Sequence, residues 1–224
     1  MSEKMIRKLT EGREYRRIDV SGIELRAGDN GEMIVEGYAT TFGQFYELWR
    51  SKWYVVNEQV DGHSFDECDM SDVIFQYNHE GRVMARTRNK TLELMVDSHG
   101  LKIRADLGGT ALGRQLYEEI KGGYTDRMSF GFTVKTDKRE EVEDHETGVT
   151  TINRTILAFE KLYDVSAVSL PANDSTEISA RGYADGVIEE LKALEERREK
   201  ERQNRERMQE EIRQLLTGKK DTNR

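Results

Sequence analysis

The composition of the chain changes abruptly near Ala184, and this break limits the folds that the chain can adopt. From Val187 to Thr217 there is no glycine, and Glu, Arg, Lys, Gln and Leu dominate. Such a composition favours one long helix, because these straight-chain residues lose little side-chain freedom in a helix. The sequence therefore predicts a folded domain over residues 1–183, followed by a charged tail over residues 184–224 that is helical or partly disordered.

The predicted tail helix has an incomplete apolar seam. The apolar residues of one heptad position are Val187, Leu194, Met208 and Leu215. Glu201 occupies the same position in the middle of the helix, so the pattern gives little support to a continuous coiled coil. A solvated helical tail is favoured over a helix that binds a partner.

Short β-prone runs separated by turn signals dominate residues 1–183. They form two pairs, residues 23–27 with 33–39 around Gly28-Asp29-Asn30-Gly31, and residues 92–96 with 101–107 around Asp97-Ser98-His99-Gly100. Gly, Asn and Asp adopt the backbone angles that tight hairpin turns need. We therefore expect two antiparallel hairpins.

One short helix is predicted among the strands. Thr110 is a suitable N-cap, Leu112, Leu116 and Ile120 recur at helical spacing, and Gly122-Gly123 follows Lys121 as a stop signal. In total we expect roughly eight strands and one or two helices. The expected fold class is α+β, mainly β, with an antiparallel β-barrel-like domain rather than a doubly wound sheet.

Three further segments are assigned from composition. Residues 40–72 are rich in aromatic residues at first and in acidic residues later, and we expect a long irregular excursion over the core. The acidic residues 137–148 are expected to form a mobile hairpin loop. A last strand over residues 163–170 is expected to end at Pro171, the single proline.

Charge and cysteine content exclude several classes of protein. The formal net charge of -8 disfavours non-specific attraction to nucleic acid phosphates. Cys68 is the single cysteine, and the first residues lack the apolar core of a secretory signal. No run approaches the ~18 to 20 apolar residues of a membrane span. We expect a soluble protein of a reducing cytoplasm, with no membrane and no specific nucleic acid among its partners.

Ser129 is the candidate nucleophile. Met128, Phe130, Phe132 and Val134 alternate with Ser129, Gly131, Thr133 and Lys135, as in a half-buried strand. Ser129 thus lies opposite the aromatic face, with the small residue Gly131 beside it, so a substrate carbonyl could approach its hydroxyl. Because most serines in strands are ordinary polar residues, the assignment depends on finding a base.

His79 is the candidate general base. A serine hydroxyl needs a neighbouring base to remove its proton, and an imidazole with a pKa near ~6.5 suits that task. His79 directly follows the apolar, β-prone residues 73–77, where a rigid scaffold can fix its direction. His63, His99 and His145 lie in acidic or turn segments, which are natural places for solvated histidines.

The third group of the site is expected to be a carboxylate that holds the imidazole. Asp164 is the carboxylate most embedded among apolar neighbours, in Leu162-Tyr163-Asp164-Val165-Ser166. An inward Asp164 needs a partner, because burying an unpaired carboxylate is costly. Glu160, on the same strand parity, is the reserve candidate. An outward salt bridge fits the pattern of either residue equally well.

Two alternative hypotheses about the functional site involve Cys68. One is a cysteine nucleophile with His63 as its base, although the surrounding acidic residues would raise the pKa of the thiol. The other is a metal site made by His63, Asp66, Cys68 and Asp69, whose spacing matches no zinc pattern. A solvated acidic loop is favoured over both, so no metal and no cofactor is expected.

Four elements in order resemble the prohead maturation proteases of tailed double-stranded DNA phages, which are related to the herpesvirus assembly proteases. These elements are Tyr77-Asn78-His79-Glu80, the Leu92–Leu101 hairpin, Met128-Ser129-Phe130-Gly131-Phe132, and the segment from Leu162 to Ala172. The resemblance covers about residues 33–180. It implies a serine endopeptidase with Ser129 as nucleophile, His79 as base and Asp164 as the acidic member. The family usually has Glu where this chain has Asp164.

The resemblance also implies where the enzyme acts and on what. The implied substrates are the scaffolding region of the major capsid protein, other internal prohead proteins and the protease itself, inside the prohead in the cytoplasm of an infected bacterium. The oxyanion donors are open, with backbone N–H groups near Gly131, or Arg127, as candidates. The alternative hypothesis is a non-catalytic capsid scaffold that acts through its helical tail.

Overall fold

The structure is a computed structural model that describes residues 12–18, 23–27, 32–169 and 183–218. These residues form eleven strands and two α-helices. The strands are β1 (Glu14–Ile18), β2 (Glu24–Ala27), β3 (Met33–Thr41), β4 (Tyr46–Arg50), β5 (Tyr54–Val60), β6 (Ile74–Tyr77), β7 (Glu80–Arg86), β8 (Leu92–Val96), β9 (Gly100–Asp106), β10 (Arg127–Asp144) and β11 (Val149–Val168). The helices are α1 (Ala111–Lys121) and α2 (Tyr183–Gly218).

The described strands form two sheets. One has seven strands, in the order β1-β10-β11-β5-β4, with β6 paired to β11 and β7 paired to β6. The other has four strands, in the order β2-β3-β9-β8. The fold is therefore α+β and mainly β, as the sequence predicts.

The expectation of an antiparallel, barrel-like domain is wrong in two respects. β11 pairs parallel with β5 through its first half and parallel with β6 through its second half, so the larger sheet is mixed. Within the described residues the sheets are open and do not close into a barrel. Local alternation predicts that a segment is a strand, but the direction of pairing depends on how the chain returns to the sheet.

The local predictions of hairpins and of the first helix are confirmed. β2 pairs antiparallel with β3, and β8 pairs antiparallel with β9, while the turn residues 28–31 lie outside the described residues. The Thr110 side chain accepts a hydrogen bond from the Gly113 amide at 2.9 Å and caps α1. The Gly122 amide donates to the Glu118 carbonyl and ends it. Pro171 lies outside the described residues.

Two segments are more regular than expected. Residues 40–72 contain β4 and β5, and β5 lies between β11 and β4 in the larger sheet. The acidic residues 137–144 continue β10 up to a turn in which Asp144 accepts from the amides of Glu146 and Thr147. β5 is not predicted from the sequence, because the buried Glu58 interrupts the apolar pattern that would indicate a strand.

The core of the larger sheet is aromatic. Phe130, Phe132 and Phe159 are fully buried, and the Phe132 and Phe159 ring centroids are 4.8 Å apart in an edge-to-face arrangement. Phe65 lies 4.5 Å from Phe159 and extends the cluster. These contacts fix the faces of β10 and β11, so Ser129, which alternates with Phe130, faces away from the aromatic cluster.

A buried network of charges joins three strands of the larger sheet. Arg16 of β1 lies 2.5 Å (Nε) and 2.8 Å (Nη2) from the two carboxylate oxygens of Glu58 in β5. Arg154 of β11 lies 2.7 Å from Glu14 and 2.8 Å from Glu58. All four side chains are nearly inaccessible to solvent. Tyr46 also donates to Glu58, at 2.6 Å.

Mutual pairing keeps the network ionised despite its burial. Burial opposes ionisation of Glu58, yet the charges of Arg16 and Arg154 outweigh it and hold the pKa of Glu58 below its usual range. Burial also opposes the charge of Arg16, but Glu58 and Glu14 reverse that effect and raise its pKa. The buried carboxylate of Glu58 therefore depends on cationic partners to stay ionised.

Contacts divide the chain into two compact units, Met1–Asp185 and Gly186–Arg224. The second unit is helical through its described residues, as the composition predicts, and carries pairs such as Arg202 with Glu199 at 2.7 Å and with Glu206 at 3.0 Å. Such pairs stabilise an exposed helix. No described helix is long and apolar enough to cross a membrane. The assignment of residues 1–183 to a catalytic domain and of residues 184–224 to a tail stays a prediction.

We expect Arg154→Met to lower the free energy of unfolding by about 3–5 kcal/mol, because it leaves two buried carboxylates with too few partners. Urea denaturation of the purified chain measures the effect. Arg26→Met removes an arginine whose side chain is 63% exposed, and it serves as the control that should change stability little. Equal stability of the two variants would contradict the importance of the network.

Candidate active site

Ser129 lies near the start of β10, between β1 and β11. The strand register pairs it with Ser166 of β11 on one side and with Arg17 of β1 on the other. Its side chain is part of a closed interior, since the residue is only 3% exposed. The sequence prediction that Ser129 faces away from the aromatic cluster agrees with this placement.

His79 occupies a two-residue turn between β6 and β7. Asn78 and His79 have φ of 50° and 59°, and Tyr77 pairs with Glu80 across the turn. A two-residue hairpin turn with both central residues at positive φ matches the twist of the strands, and Asn and His tolerate that region better than most residues. The Asn78 amide donates to the Ala167 carbonyl at 3.0 Å, which ties the turn to β11.

The three predicted site residues meet around the His79 ring. His79 Nε2 lies 2.6 Å from Ser129 Oγ, and His79 Nδ1 lies 2.5 Å from Asp164 Oδ1. The His79 side chain is 15% exposed and that of Asp164 only 3%. One imidazole therefore links a buried hydroxyl to a buried carboxylate through its two ring nitrogens, which is the arrangement that a serine nucleophile needs.

Asp164 is held by β11 and by a neighbouring hydroxyl. It is opposite Gly131 of β10 and Ile74 of β6 in the strand register. Ser166 Oγ donates to Asp164 Oδ1 at 3.0 Å, so the buried carboxylate has two partners. Glu160, the reserve candidate, is exposed on the same strand, whereas Asp164 bonds the imidazole.

Gly131 provides the space that Asp164 needs. A Cβ at this position would collide with the carboxylate of Asp164 and would lie 2.8 Å from Cε1 of Tyr15. The Tyr15 ring in turn packs edge-on against the His79 ring, with centroids 4.5 Å apart and planes at 63°. The sequence pattern indicates only that Gly131 leaves a clear path to Ser129, whereas the structure shows that it accommodates the acidic group.

Arg127, the other candidate oxyanion donor, lies at the start of β10, where its Nε is 3.8 Å from Asp126 Oδ1. The backbone N–H groups near Gly131 belong to the same strand. Their roles in stabilising an oxyanion stay predictions.

Sequence reasoning missed the contributions of β1 and of Ser166. Tyr15 packs on His79, and the Arg16 carbonyl oxygen accepts a hydrogen bond from Ser129 Oγ at 2.9 Å. β1 is not predicted from the sequence, because the buried residues of this strand include the charged Glu14 and Arg16 instead of apolar side chains. Ser166 stands two residues after Asp164, on the same strand face, and that spacing is the one signal that points to it.

The structure disfavours both hypotheses built on Cys68. Burial raises the pKa of the Cys68 thiol to about 11, so the thiolate needed for nucleophilic attack is scarce at neutral pH. The His63 side chain is 87% exposed and pairs with Asp66, with Nδ1 3.2 Å from Oδ2. In the part of the chain that the structure describes, no group of three or more His, Cys, Asp or Glu side chains could hold a metal ion.

A hydroxyl, an imidazole and a carboxylate in this arrangement are compatible with a serine nucleophile and its base. The model of one protein family, caudovirus prohead serine protease, matches residues 21–187. The match covers most of the chain, and the chain therefore belongs to this family of serine peptidases, which act in phage capsid maturation. No curated protein and no solved structure matches the chain.

We expect Gly131→Ala to lower kcat/KM by about 10²-fold or more while the protein stays folded, because the added methyl group displaces Asp164 and with it the His79 ring. Peptidase assays and circular dichroism of the same preparation measure both effects. Gly62→Ala is the matched control, since a Cβ there meets nothing within 4 Å. Full activity in folded Gly131→Ala would contradict the role of this gap.

Proposed function

We propose that this chain is the endopeptidase that matures a phage prohead, with Ser129 as nucleophile, His79 as general base and Asp164 as the group that orients His79. The observation that carries the proposal is the pair of short contacts from the two nitrogens of His79 to Ser129 and Asp164. Family membership supports the same reaction class.

The geometry supports a two-stage hydrolysis. Asp164 accepts the Nδ1–H of His79, which leaves Nε2 unprotonated and facing Ser129 Oγ. As Oγ attacks the scissile carbonyl carbon, Nε2 takes its proton, and the imidazolium then gives that proton to the leaving amine. Water, activated by the same Nε2, hydrolyses the acyl-enzyme and restores Ser129.

Aspartate fills the acidic role despite its short side chain. Parallel pairing of β6 with β11 sets Tyr77, the residue before the Asn78-His79 turn, opposite Ala167 of β11. The turn therefore lies close to Asp164 on the same strand. The gap at Gly131 lets the carboxylate turn towards the ring. The departure from the glutamate that the family usually has is thus compatible with the proposed role.

The proposed substrates are the scaffolding region of the major capsid protein, other internal prohead proteins and the protease itself. Membership of a prohead protease family supports capsid proteins as a class of partner, and the assembling prohead as the place of action. The charged helix α2 is a candidate segment for incorporation into the prohead or for self-removal, on the basis of its composition and heptad pattern.

Replacing the nucleophile tests the function. We expect Ser129→Ala to lose about 10⁴-fold or more of the peptidase activity. Wild type, Ser129→Ala and the exposed-turn control Ser98→Ala are incubated separately with the cognate capsid protein, and intact masses are followed over time. Shortening of the capsid protein or of the chain in wild type and in the control, but not in Ser129→Ala, is the expected result.

Other outcomes separate the alternatives. Equal cleavage by wild type and Ser129→Ala would place the chemistry elsewhere, with Cys68→Ala as the next variant. A Ser129→Ala chain that still supports normal capsid maturation would favour the non-catalytic scaffold.

Removing the tail tests its proposed role. A chain that ends at Gly182 lacks α2, and we expect it to enter proheads less efficiently than the full chain. The amount of protease in purified proheads, compared by immunoblot for the two lengths, measures this. Normal incorporation of the short chain would show that the tail does not direct incorporation.

A further inference from the structure

The Ser129 hydroxyl has two acceptors in this structure. Its single proton can be directed to His79 Nε2 at 2.6 Å or to the Arg16 carbonyl oxygen at 2.9 Å. Attack requires transfer of this proton to His79, so the Arg16 carbonyl competes with the productive hydrogen bond. The residue is also only 3% exposed, and a substrate carbonyl must reach bonding distance of the same oxygen.

The strand that carries Ser129 has two edges, and both are occupied. β11 pairs with one edge and supplies Asp164 and Ser166, so it must stay in place for catalysis. β1 pairs with the other edge, from Ile18 opposite Met128 to Glu14 opposite Phe132. Extended peptides bind proteins by adding a strand to a sheet edge, and the edge that β1 covers is the one that such a peptide could use beside Ser129.

β1 is a short strand at one end of the larger sheet. It is five residues long and is the terminal strand of its sheet in the described part of the chain. Besides its backbone pairing with β10, β1 is attached through Arg16 and Glu14, which bond Glu58 and Arg154 of the body of the sheet. It also precedes the part of the chain that the family model matches, which begins at residue 21.

We propose that the edge of β10 from Met128 to Phe132 is the binding site for an extended substrate peptide, and that β1 occupies this edge in a latent enzyme and must leave before Ser129 attacks. The inference rests on the proposed function and names its substrate site. In this latent state β1 occupies the substrate site without being cleaved, and the Arg16 carbonyl oxygen accepts a hydrogen bond from Ser129 Oγ.

The charges around Arg16 define the class of peptide that replaces β1. Without β1, the network retains two carboxylates, Glu58 and Asp137, and one cation, Arg154. The Asp137 side chain is 26% exposed, but that of Glu58 is fully buried and needs a positive partner in place of Arg16. The substrate is therefore an extended peptide with a basic side chain at the position that Arg16 takes.

A reversible lock on β1 tests the inference in the full chain. In a Cys68→Ala background, Ile18→Cys and Met128→Cys create a cysteine pair at directly opposed positions of β1 and β10. A small fluorophosphonate, whose fluoride Ser129 Oγ displaces, reports whether the nucleophile is free, and intact mass with peptide mapping gives the rate at Ser129. The oxidised form should be labelled at least about tenfold more slowly than the reduced form.

Two controls accompany the lock. Met95→Cys with Lys102→Cys forms a pair between β8 and β9 of the other sheet, and its oxidation should leave the labelling rate unchanged. Arg16→Lys keeps the charge but loses the forked contact with Glu58, and it should raise the labelling rate about tenfold because β1 detaches more often. Glu58 keeps Arg154 and Tyr46 as partners in this variant, so the sheet retains its structure.

A synthetic peptide of residues 12–20 tests the choice of ligand. It should slow labelling of Arg16→Lys, and the same peptide with glutamate in place of Arg16 should not. Equal effects of the two peptides would overturn the basic preference.

Equal labelling of the oxidised and reduced lock would overturn the inference, because β1 would then remain in place during attack. If Ser129 is labelled neither in the reduced lock nor in Arg16→Lys, and no Ser129-dependent cleavage is found, the proposed protease function itself fails and the inference falls with it. Circular dichroism of the oxidised lock confirms that it is folded.

Discussion

The antiparallel pairing of β10 with β11 is the interaction on which the site depends. Its register sets Ser129 against Ser166 and Gly131 against Asp164, so the hydroxyl and the carboxylate lie on neighbouring strands only two residues apart. One imidazole can therefore span them. The register first shifts after Gly131, so the site lies in the regular end of the pairing. β6 then pairs parallel with the same stretch of β11 and brings the Asn78-His79 turn to the face where the two groups meet.

The buried charges connect this site to the rest of the sheet. Arg16 supplies both a side chain that pairs with Glu58 and a backbone carbonyl that touches Ser129. Far from water such pairs are strong when complete and costly when broken, so the loss of Arg16 from the network has to be compensated by another cation at its position. The position of β1 over the nucleophile is thus tied to the charge balance of the interior as well as to its pairing with β10.

Local patterns in the sequence predict the elements whose structure depends on near neighbours. The two hairpins, the helix capped by Thr110 and the long C-terminal helix follow from turn residues, capping and glycine content. The strands β1 and β5 escape prediction, because Arg16 and Glu58 stand where apolar residues would reveal a strand. A charged residue can be assigned to the core only when its partner is known, and Arg16 and Glu58 are 42 residues apart in the sequence. The parallel pairings of β11 depend on long connections for the same reason.

The sequence by itself determines which chemical groups are available for the site and the local pattern around each of them. The imidazole follows an apolar strand, the serine alternates with aromatic residues along a strand, and the carboxylate lies among apolar residues. These properties are local, so the amino-acid sequence nominates Ser129 and His79 as candidates, while it leaves Asp164 and Glu160 as alternatives for the acidic group. The meeting of Ser129, His79 and Asp164 at 2.5 and 2.6 Å depends on the register of β10 with β11 and on the direction of β6. The same holds for Gly131, Ser166 and β1, whose places at the site follow from pairings between segments far apart in the chain. Only the tertiary structure decides those pairings, because each is selected by the combined burial of both strands.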